Sequence, residues 1–127
     1  MKITQKRLSS VTDGMLVKFN SSNLLEPYDG TGTAQGIASN CRVVAVQPDP
    51  DQPPTDVLVC ELVIDGACQA LLSGSAPSTG GLIYADGSRI SVTASGSPIG
   101  RLLPRGWSEA TGYGDGDLVT IYISGVN

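Results

Sequence analysis

The stretch that decides the fold class is VLVCELVIDGACQALL, residues 57–72. It holds two apolar runs on either side of the dipeptide Asp65-Gly66. Asp-Gly between apolar runs is the preferred two-residue turn of a β-hairpin, because both central residues need positive φ. In the first run Glu61 marks one face as the wetter one, since side chains alternate across a strand. The stretch therefore predicts a hairpin whose core-facing side carries Leu58, Cys60, Leu62 and Ile64.

Similar runs recur along the chain. The segments LIYA (82–85) and RISVT (89–93) flank Asp86-Gly87-Ser88, which predicts a second hairpin with a three-residue turn. Together with apolar runs at 14–19, 34–47 and 99–103, the pattern gives about eight short strands. In the last run, DLVTIYIS, the residues predicted to face the core are Val119, Ile121 and Ile123.

No segment shows a convincing helical period, and turn signals recur roughly every ten residues. This pattern is typical of an all-β sandwich or small barrel. We predict a barrel, because closure removes the unpaired edges of short strands. The predicted organisation is an N-terminal arm, residues 1–13, followed by a small single-domain β-barrel with long loops, residues 14–127. The arm shows little periodicity, which leaves a first edge strand open as the alternative.

The composition excludes several classes of function. The net charge is −4 and the pI is about 4.5, which argues against a nucleic acid partner, because such proteins present a basic face. The chain has no histidine, so Ser-His-Asp and Cys-His catalysis and histidine-containing metal sites are excluded. No apolar run approaches the roughly 18 residues that span a bilayer, and no signal peptide is visible. We therefore expect a soluble protein without a membrane partner.

The three cysteines are Cys41, Cys60 and Cys68. An odd number without a C-x-x-C pair fits neither a disulfide framework nor a zinc site. We interpret them as small buried hydrophobic residues in a reducing compartment. One disulfide with a spare thiol is the alternative.

The segment GSPIGRLLPRG, residues 96–106, raises the question of a phosphate-binding loop, since it combines glycines with arginines. A P-loop needs G-x-x-x-x-G-K-[ST] between a strand and a helix. Here Gly96 and Gly100 are one residue too close, Arg101 replaces the lysine and Leu102 replaces the Ser/Thr. The segment instead predicts a turn followed by a strand, in which Gly100 allows a bulge or a close backbone approach.

The acidic residues form no recognisable catalytic set. The triplets at 29–31 and 86–88 reverse the order of the aspartic-protease motif and indicate turns. The segment PDPDQPPTD, residues 48–56, indicates an exposed extended loop, because prolines prevent regular structure. The alternative for this segment is a calcium site at Asp49, Asp51 and Asp56, although the segment lacks the glycine and glutamate of an EF-hand loop. Asp115 and Asp117 indicate a turn, with a metal site as alternative. We expect no enzyme activity, no metal and no cofactor.

The second half of the chain resembles a known family. Residues 76–106, APSTGGLIYADGSRISVTASGSPIGRLLPRG, are followed after a glycine-rich spacer by GDLVTIYI, residues 116–123. Earlier, GMLVKF at 14–19 and AQGIAS at 34–39 are similar to the family's first strand and its GVA-like segment. In this order the segments resemble the head decoration, or capsid cement, proteins of tailed bacteriophages and prophages. The loop at 48–56 and the long connection at 103–114 depart from that pattern.

The resemblance implies a small β-barrel with a flexible arm that assembles as a homotrimer on the capsid lattice. It implies a structural virion protein, made in the cytoplasm of the host bacterium, that decorates the outer capsid surface. Such a protein stabilises the capsid by binding the major capsid protein. Because basic residues cluster ahead of Asp13, the first acidic residue, we expect the arm to make this contact by adding a strand to a capsid sheet edge. The expected contact residues are Lys2, Lys6, Arg7 and Leu8.

Two other classes stay open. An adhesion or carbohydrate-binding module would use Trp107, Tyr113 and Tyr28 as stacking platforms. For Trp107 and Tyr113, which lie in a glycine-rich loop, local anchoring is the plainer interpretation. A small hydrolase would need a pair of carboxylates in a pocket.

Overall fold

A computed structural model describes residues 1–104 and 111–124, and all regular structure in these residues is β-strand. The strands form two five-stranded sheets, sheet I with the order β1-β5-β4-β2-β3 and sheet II with the order β6-β10-β9-β7-β8. All ladders are antiparallel. The all-β prediction is therefore confirmed. The strands are β1 Lys2–Lys6, β2 Leu16–Phe19, β3 Leu25–Pro27, β4 Gly36–Val46, β5 Thr55–Val63, β6 Gly66–Leu71, β7 Gly81–Asp86, β8 Arg89–Ser91, β9 Gly100–Leu102 and β10 Leu118–Ile123.

The predicted single closed barrel is not confirmed, because the strands divide between the two sheets. In each sheet the first and last strands approach one another, but they meet at an isolated parallel bridge rather than along a ladder. These bridges join Arg7 to Leu25 in sheet I and Leu72 to Ile90 in sheet II. Each sheet therefore curls toward closure without completing it.

The predicted hairpin at residues 57–72 is wrong. β5 pairs with β1 and β4 in sheet I, whereas β6 pairs with β10 in sheet II. Asp65-Gly66 is a corner between the sheets, and Gly66 has the positive φ of 106° that favours glycine there. The physical reason is long-range burial, because neighbouring residues at the end of β5 enter two different cores.

The buried side chains form two clusters. The larger cluster is formed mainly by side chains of sheet II, including Leu72, Ile83, Ile90, Leu102, Val119, Ile121 and Ile123. The smaller lies within sheet I and includes Val11, Val17, Leu25, Ala38, Cys60 and Leu62. Sheet I also contributes side chains to the larger cluster, namely Leu16, Ile37 and Val63. Since these alternate with Val17, Ala38 and Leu62, the middle of sheet I is buried on both faces.

Sheet II follows its sequence pattern closely. On β10 the predicted residues Val119, Ile121 and Ile123 are buried, and the residues between them are exposed. The predicted β7–β8 hairpin is confirmed, although Asp86 pairs with Arg89 and leaves a two-residue turn. The predicted strand after residue 98 is β9.

The loops are shorter than the sequence indicates. Residues 20–33, which lie between the predicted strands at 14–19 and 34–47, contain β3, which places Leu25 fully inside the smaller core. The loop at 48–56 is exposed as predicted, but its last residues, Thr55 and Asp56, begin β5. For residues 1–13 the sequence left an arm and an edge strand open, and the structure has the edge strand, β1.

Candidate interaction surfaces

The N-terminal contact residues predicted from the sequence divide into two kinds. Lys2 and Lys6 are exposed on β1, opposite Val63 and Val59 of β5. Leu8 is half-buried, and its backbone N–H donates to the carbonyl of Leu25 at 2.8 Å. Only the two lysines therefore present their charge to the outside.

Arg7 is directed into the molecule. Its Nε donates to the carbonyl oxygen of Val59 at 2.9 Å, and its terminal nitrogens reach the carbonyl oxygens of Arg42 at 3.2 Å and Val11 at 3.3 Å. A fourth contact reaches the carbonyl of Leu8 at 3.4 Å. A guanidinium has a fixed fork of donors and suits this task. Arg7 thus joins β1, β4 and β5, a role the sequence did not indicate.

A second surface is the distal hairpin, residues 42–59, formed by the end of β4, the 47–54 loop and the start of β5. β1 pairs only with residues 59–63 of β5, and β2 only with residues 36–37 of β4. The strand ends at 44–46 and 55–57 therefore pair only with each other among the described strands. Val43 and Val46 are 54% and 42% exposed. Unpaired edges with exposed apolar side chains are sites for contact with another chain.

A third surface is the Arg101 row on the outer face of sheet II. The register aligns Leu82, Arg101, Tyr122 and Ala67 across β7, β9, β10 and β6. Leu82 and Tyr122 are 51% and 49% exposed, and they line a cleft of about 220 Å³ together with Arg101. Arg101 faces outward while its neighbours Gly100 and Leu102 face inward. The row combines apolar surface with one central positive charge.

Gly100 explains how the row is built. A Cβ atom at this position would overlap the carbonyl oxygen of Tyr122 and would lie 3.0 Å from the Cα of Ile123. Glycine is required there because β9 and β10 approach closely. The close backbone approach predicted from the sequence is confirmed, and it sets the spacing between Arg101 and Tyr122.

The carboxylates are engaged in local structure. The Nζ of Lys18 donates to Asp29 at 2.8 Å, and this bond, with others from Thr31, holds the pKa of Asp29 well below its usual range. Asp115 accepts from the backbone N–H of Gly74 at 2.8 Å, and Asp117 accepts from that of Gly114 at 2.8 Å, which fits their interpretation as turn residues. Residues 1–104 and 111–124 contain no group of three or more side chains suited to a metal ion.

One cleft is rich in hydroxyl groups. It has a volume of about 310 Å³ and is lined by Ser73, Asp86, Ser91, Thr93 and Ser95, with Gly74 and Ala85. The hydroxyl of Ser73 donates to Asp86 at 2.6 Å. Asp86 is the only carboxylate among the described residues that line this cleft, whereas the hydrolase alternative needs a pair.

The aromatic residues of the carbohydrate-binding alternative do not form a platform in the described residues. Tyr28 and Tyr113 are half-buried and pack against the larger core. The hydroxyl of Tyr113 donates to the carbonyl of Leu103 at 3.0 Å, and that of Tyr28 to the carbonyl of Gly32 at 3.4 Å. Both act as local anchors. Trp107 lies outside the described residues.

The cysteines are free thiols. Cys60 is fully buried, and Cys41 and Cys68 are half-buried. Burial raises the pKa of Cys41 to about 12 and that of Cys68 to about 11. The interpretation of the cysteines as buried hydrophobic residues is confirmed for Cys60, and the disulfide alternative is not present.

Comparison with known proteins adds no relative. No protein-family model, no curated protein and no solved structure matches this chain. Residues 1–104 and 111–124 contain no helix that could cross a membrane.

Proposed function

We propose that the chain is a structural virion protein that decorates the outer surface of a tailed-phage capsid and stabilises it by binding the major capsid protein. The observation that carries this proposal is how the resembling segments fold. Residues 81–91, 100–102 and 118–123 form β7 to β10, four of the five strands of sheet II. β9 pairs with both β7 and β10. Each of these motifs alone is common in β-proteins, but their assembly into one contiguous sheet supports the resemblance to the decoration proteins.

We infer that sheet II is the counterpart of the family's small barrel. Its end strands β6 and β8 meet at Leu72 and Ile90, and the N–H of Ser73 donates to the carbonyl of Ile90 at 2.7 Å. Even this incomplete contact partly protects the edge of a strand as short as β8. Sheet I then presents β1 and the distal hairpin to partners.

The proposed capsid contact centres on Lys2 and Lys6. Each is exposed on the edge strand β1, where a positive charge steers the protein toward an acidic surface. An exposed ion pair contributes only about 0–1 kcal/mol. We therefore propose a homotrimer on the capsid lattice, because several weak contacts made together give strong attachment. The proposed location is the virion exterior after synthesis in the host cytoplasm, without nucleic acid or membrane partners.

Co-sedimentation with expanded empty capsids tests the proposal. The capsids are assembled from the major capsid protein encoded in the same genome. Removing the first 13 residues is unsuitable, because β1 pairs along β5 and Arg7 joins three strands. The informative variant is Lys2→Gln with Lys6→Gln, and the control is Arg89→Gln, which removes a positive charge outside β1 and the distal hairpin.

The wild-type chain and the control are expected to sediment with the capsids, and the lysine variant is expected to bind at least about tenfold more weakly. Loss of binding only for the lysine variant supports both the function and the contact. Equal binding of all three chains contradicts the lysine contact but keeps the function. Failure of the wild-type chain to bind contradicts the decoration function itself.

A further inference from the structure

The exposed large apolar side chains concentrate on two surfaces. Among the described residues they are Met1, Val43, Val46, Leu82, Leu118 and Tyr122. All except Met1 belong to the distal hairpin or to the outer face of sheet II. Grouped apolar side chains at about half exposure mark interaction sites rather than ordinary surface. Both surfaces are therefore candidates for contact with a partner.

The distal hairpin carries negative charge at its tip. Asp49, Asp51 and Asp56 are exposed, and none of them forms an ion pair with a residue that the structure describes. Within the tip, the side-chain amide of Gln47 donates to the carbonyls of Gln52 at 2.8 Å and Pro50 at 3.3 Å, which favours this loop conformation. A loop ordered before binding loses little conformational entropy when it docks.

The Arg101 row carries the opposite charge. Arg101 is exposed and forms no ion pair within residues 1–104 and 111–124. It stands between Leu82 and Tyr122, in register with both. A guanidinium binds a carboxylate through two parallel hydrogen bonds, and the apolar side chains beside it exclude water from such a pair. The row is thus suited to an acidic partner with apolar flanks.

We propose that these two surfaces bind each other between copies of this chain. The distal hairpin of one copy docks on the Arg101 row of the next, with Asp49 and Asp51 facing Arg101. Val46, the exposed valine beside the tip, then packs against Leu82 and Tyr122, whereas Val43 points to the opposite face of β4. The single occupant is a second copy, because one chain carries both halves of a contact complementary in charge and in apolar surface. The inference deepens the proposed function, since it assigns the copy-to-copy contact of the proposed trimer.

The geometry of such a contact has a consequence for assembly. Two different patches make a heterologous contact, which closes into a ring when the rotation between copies permits and otherwise extends as a filament. Each copy in a ring buries one hairpin and one row. Every copy then covers Val46 of its hairpin and the apolar side chains that flank its Arg101.

Sedimentation velocity of the isolated protein over a wide concentration range tests the proposal. The disruptive variants are Arg101→Glu, and Asp49→Arg combined with Asp51→Arg. A triple variant that combines all three substitutions exchanges the charges and restores their complementarity. The matched control is Arg89→Gln, which removes a partly exposed positive charge on β8, outside both surfaces and outside β1. Thermal unfolding of each variant checks that the fold is intact.

The wild-type chain and the control are expected to sediment as multiples of the 13.1 kDa chain. Each disruptive variant is expected to associate at least about tenfold more weakly, and the triple variant to regain association. A monomeric wild type, unchanged association of the disruptive variants, or a triple variant that stays monomeric overturns the proposal. If the wild type is monomeric and these substitutions abolish capsid binding instead, the surfaces face the capsid. In that case the self-contact is wrong and the decoration function is retained.

Discussion

Replacing Arg7 with alanine tests whether this residue holds the fold together or serves an outside contact. The sequence placed Arg7 among the capsid-binding residues, whereas the structure turns its guanidinium toward four backbone carbonyl oxygens. These belong to the segment after β1, to β4 and to β5. The substitution removes all four contacts at once, so we expect sheet I to lose stability.

The magnitude follows from the geometry. Two of the bonds are the shortest, 2.9 Å to Val59 and 3.2 Å to Arg42. A hydrogen bond to a charged group contributes about 1.5–3 kcal/mol. Arg7 is half-buried, so the lower value applies to each of these two bonds, and the longer ones contribute little. Arg7→Ala is therefore expected to lower the free energy of unfolding by about 3 kcal/mol.

Urea unfolding followed by far-ultraviolet circular dichroism measures this change. With a slope of about 2 kcal/mol per molar urea, a loss of about 3 kcal/mol moves the midpoint down by about 1.5 M. The matched control is Lys6→Ala, which truncates the neighbouring exposed side chain and is expected to change stability by less than about 0.5 kcal/mol. Similar midpoints for the two variants would refute the bridging role of Arg7.

Three further predictions concern other parts of the fold. Gly100→Ala is expected to destabilise the protein by about 2 kcal/mol or more, because the new Cβ would overlap the backbone of β10. In the control, Gly114→Ala, the nearest atom is 3.6 Å from the new Cβ. Equal urea midpoints for the two variants would contradict the close approach. Since bonds from Lys18 and Thr31 lower the pKa of Asp29, its ionised form stabilises the fold fully above about pH 5, and this contribution shrinks as the pH falls toward the folded pKa. Asp29→Asn should flatten the acid side of the stability profile, and an unchanged profile would count against this link. With pKa values of about 12 and about 11, Cys41 and Cys68 are neutral at pH 8, so thiol reagents should label the native protein slowly and the urea-unfolded protein quickly; rapid native labelling would contradict their burial.

Local patterns predicted sheet II well. On β10 the period-two alternation gave the correct buried face, because that strand has one face in the core and one outside. The strand predicted at 99–103 is present as β9, and the close backbone approach expected at Gly100 is observed. The sheet order was not predictable, because it depends on contacts between residues far apart in the chain.

The candidate surfaces were only partly visible in the sequence. The basic cluster at Lys2, Lys6 and Arg7 was recognised, but a charge pattern does not reveal the direction of a side chain. Arg7 turns inward because β4 and β5 leave carbonyl oxygens within its reach. The Arg101 row was not predictable, since its members come from four strands and become neighbours only through the register.

Two continuous apolar runs in sheet I show what periodicity alone leaves undecided. Leu62 and Val63 interrupt the alternation of β5, and each side chain enters a different core, so the strand end is buried on both faces. That break in the pattern, rather than Asp65-Gly66, is the signal that separates a corner from a hairpin. Residues 43–46, VVAV, show the same break on β4, yet Val43 and Val46 are exposed. One run is buried within its own chain, and the other has apolar side chains that a single copy does not cover. The distal hairpin is therefore the segment whose sequence fits an assembled protein better than an isolated one.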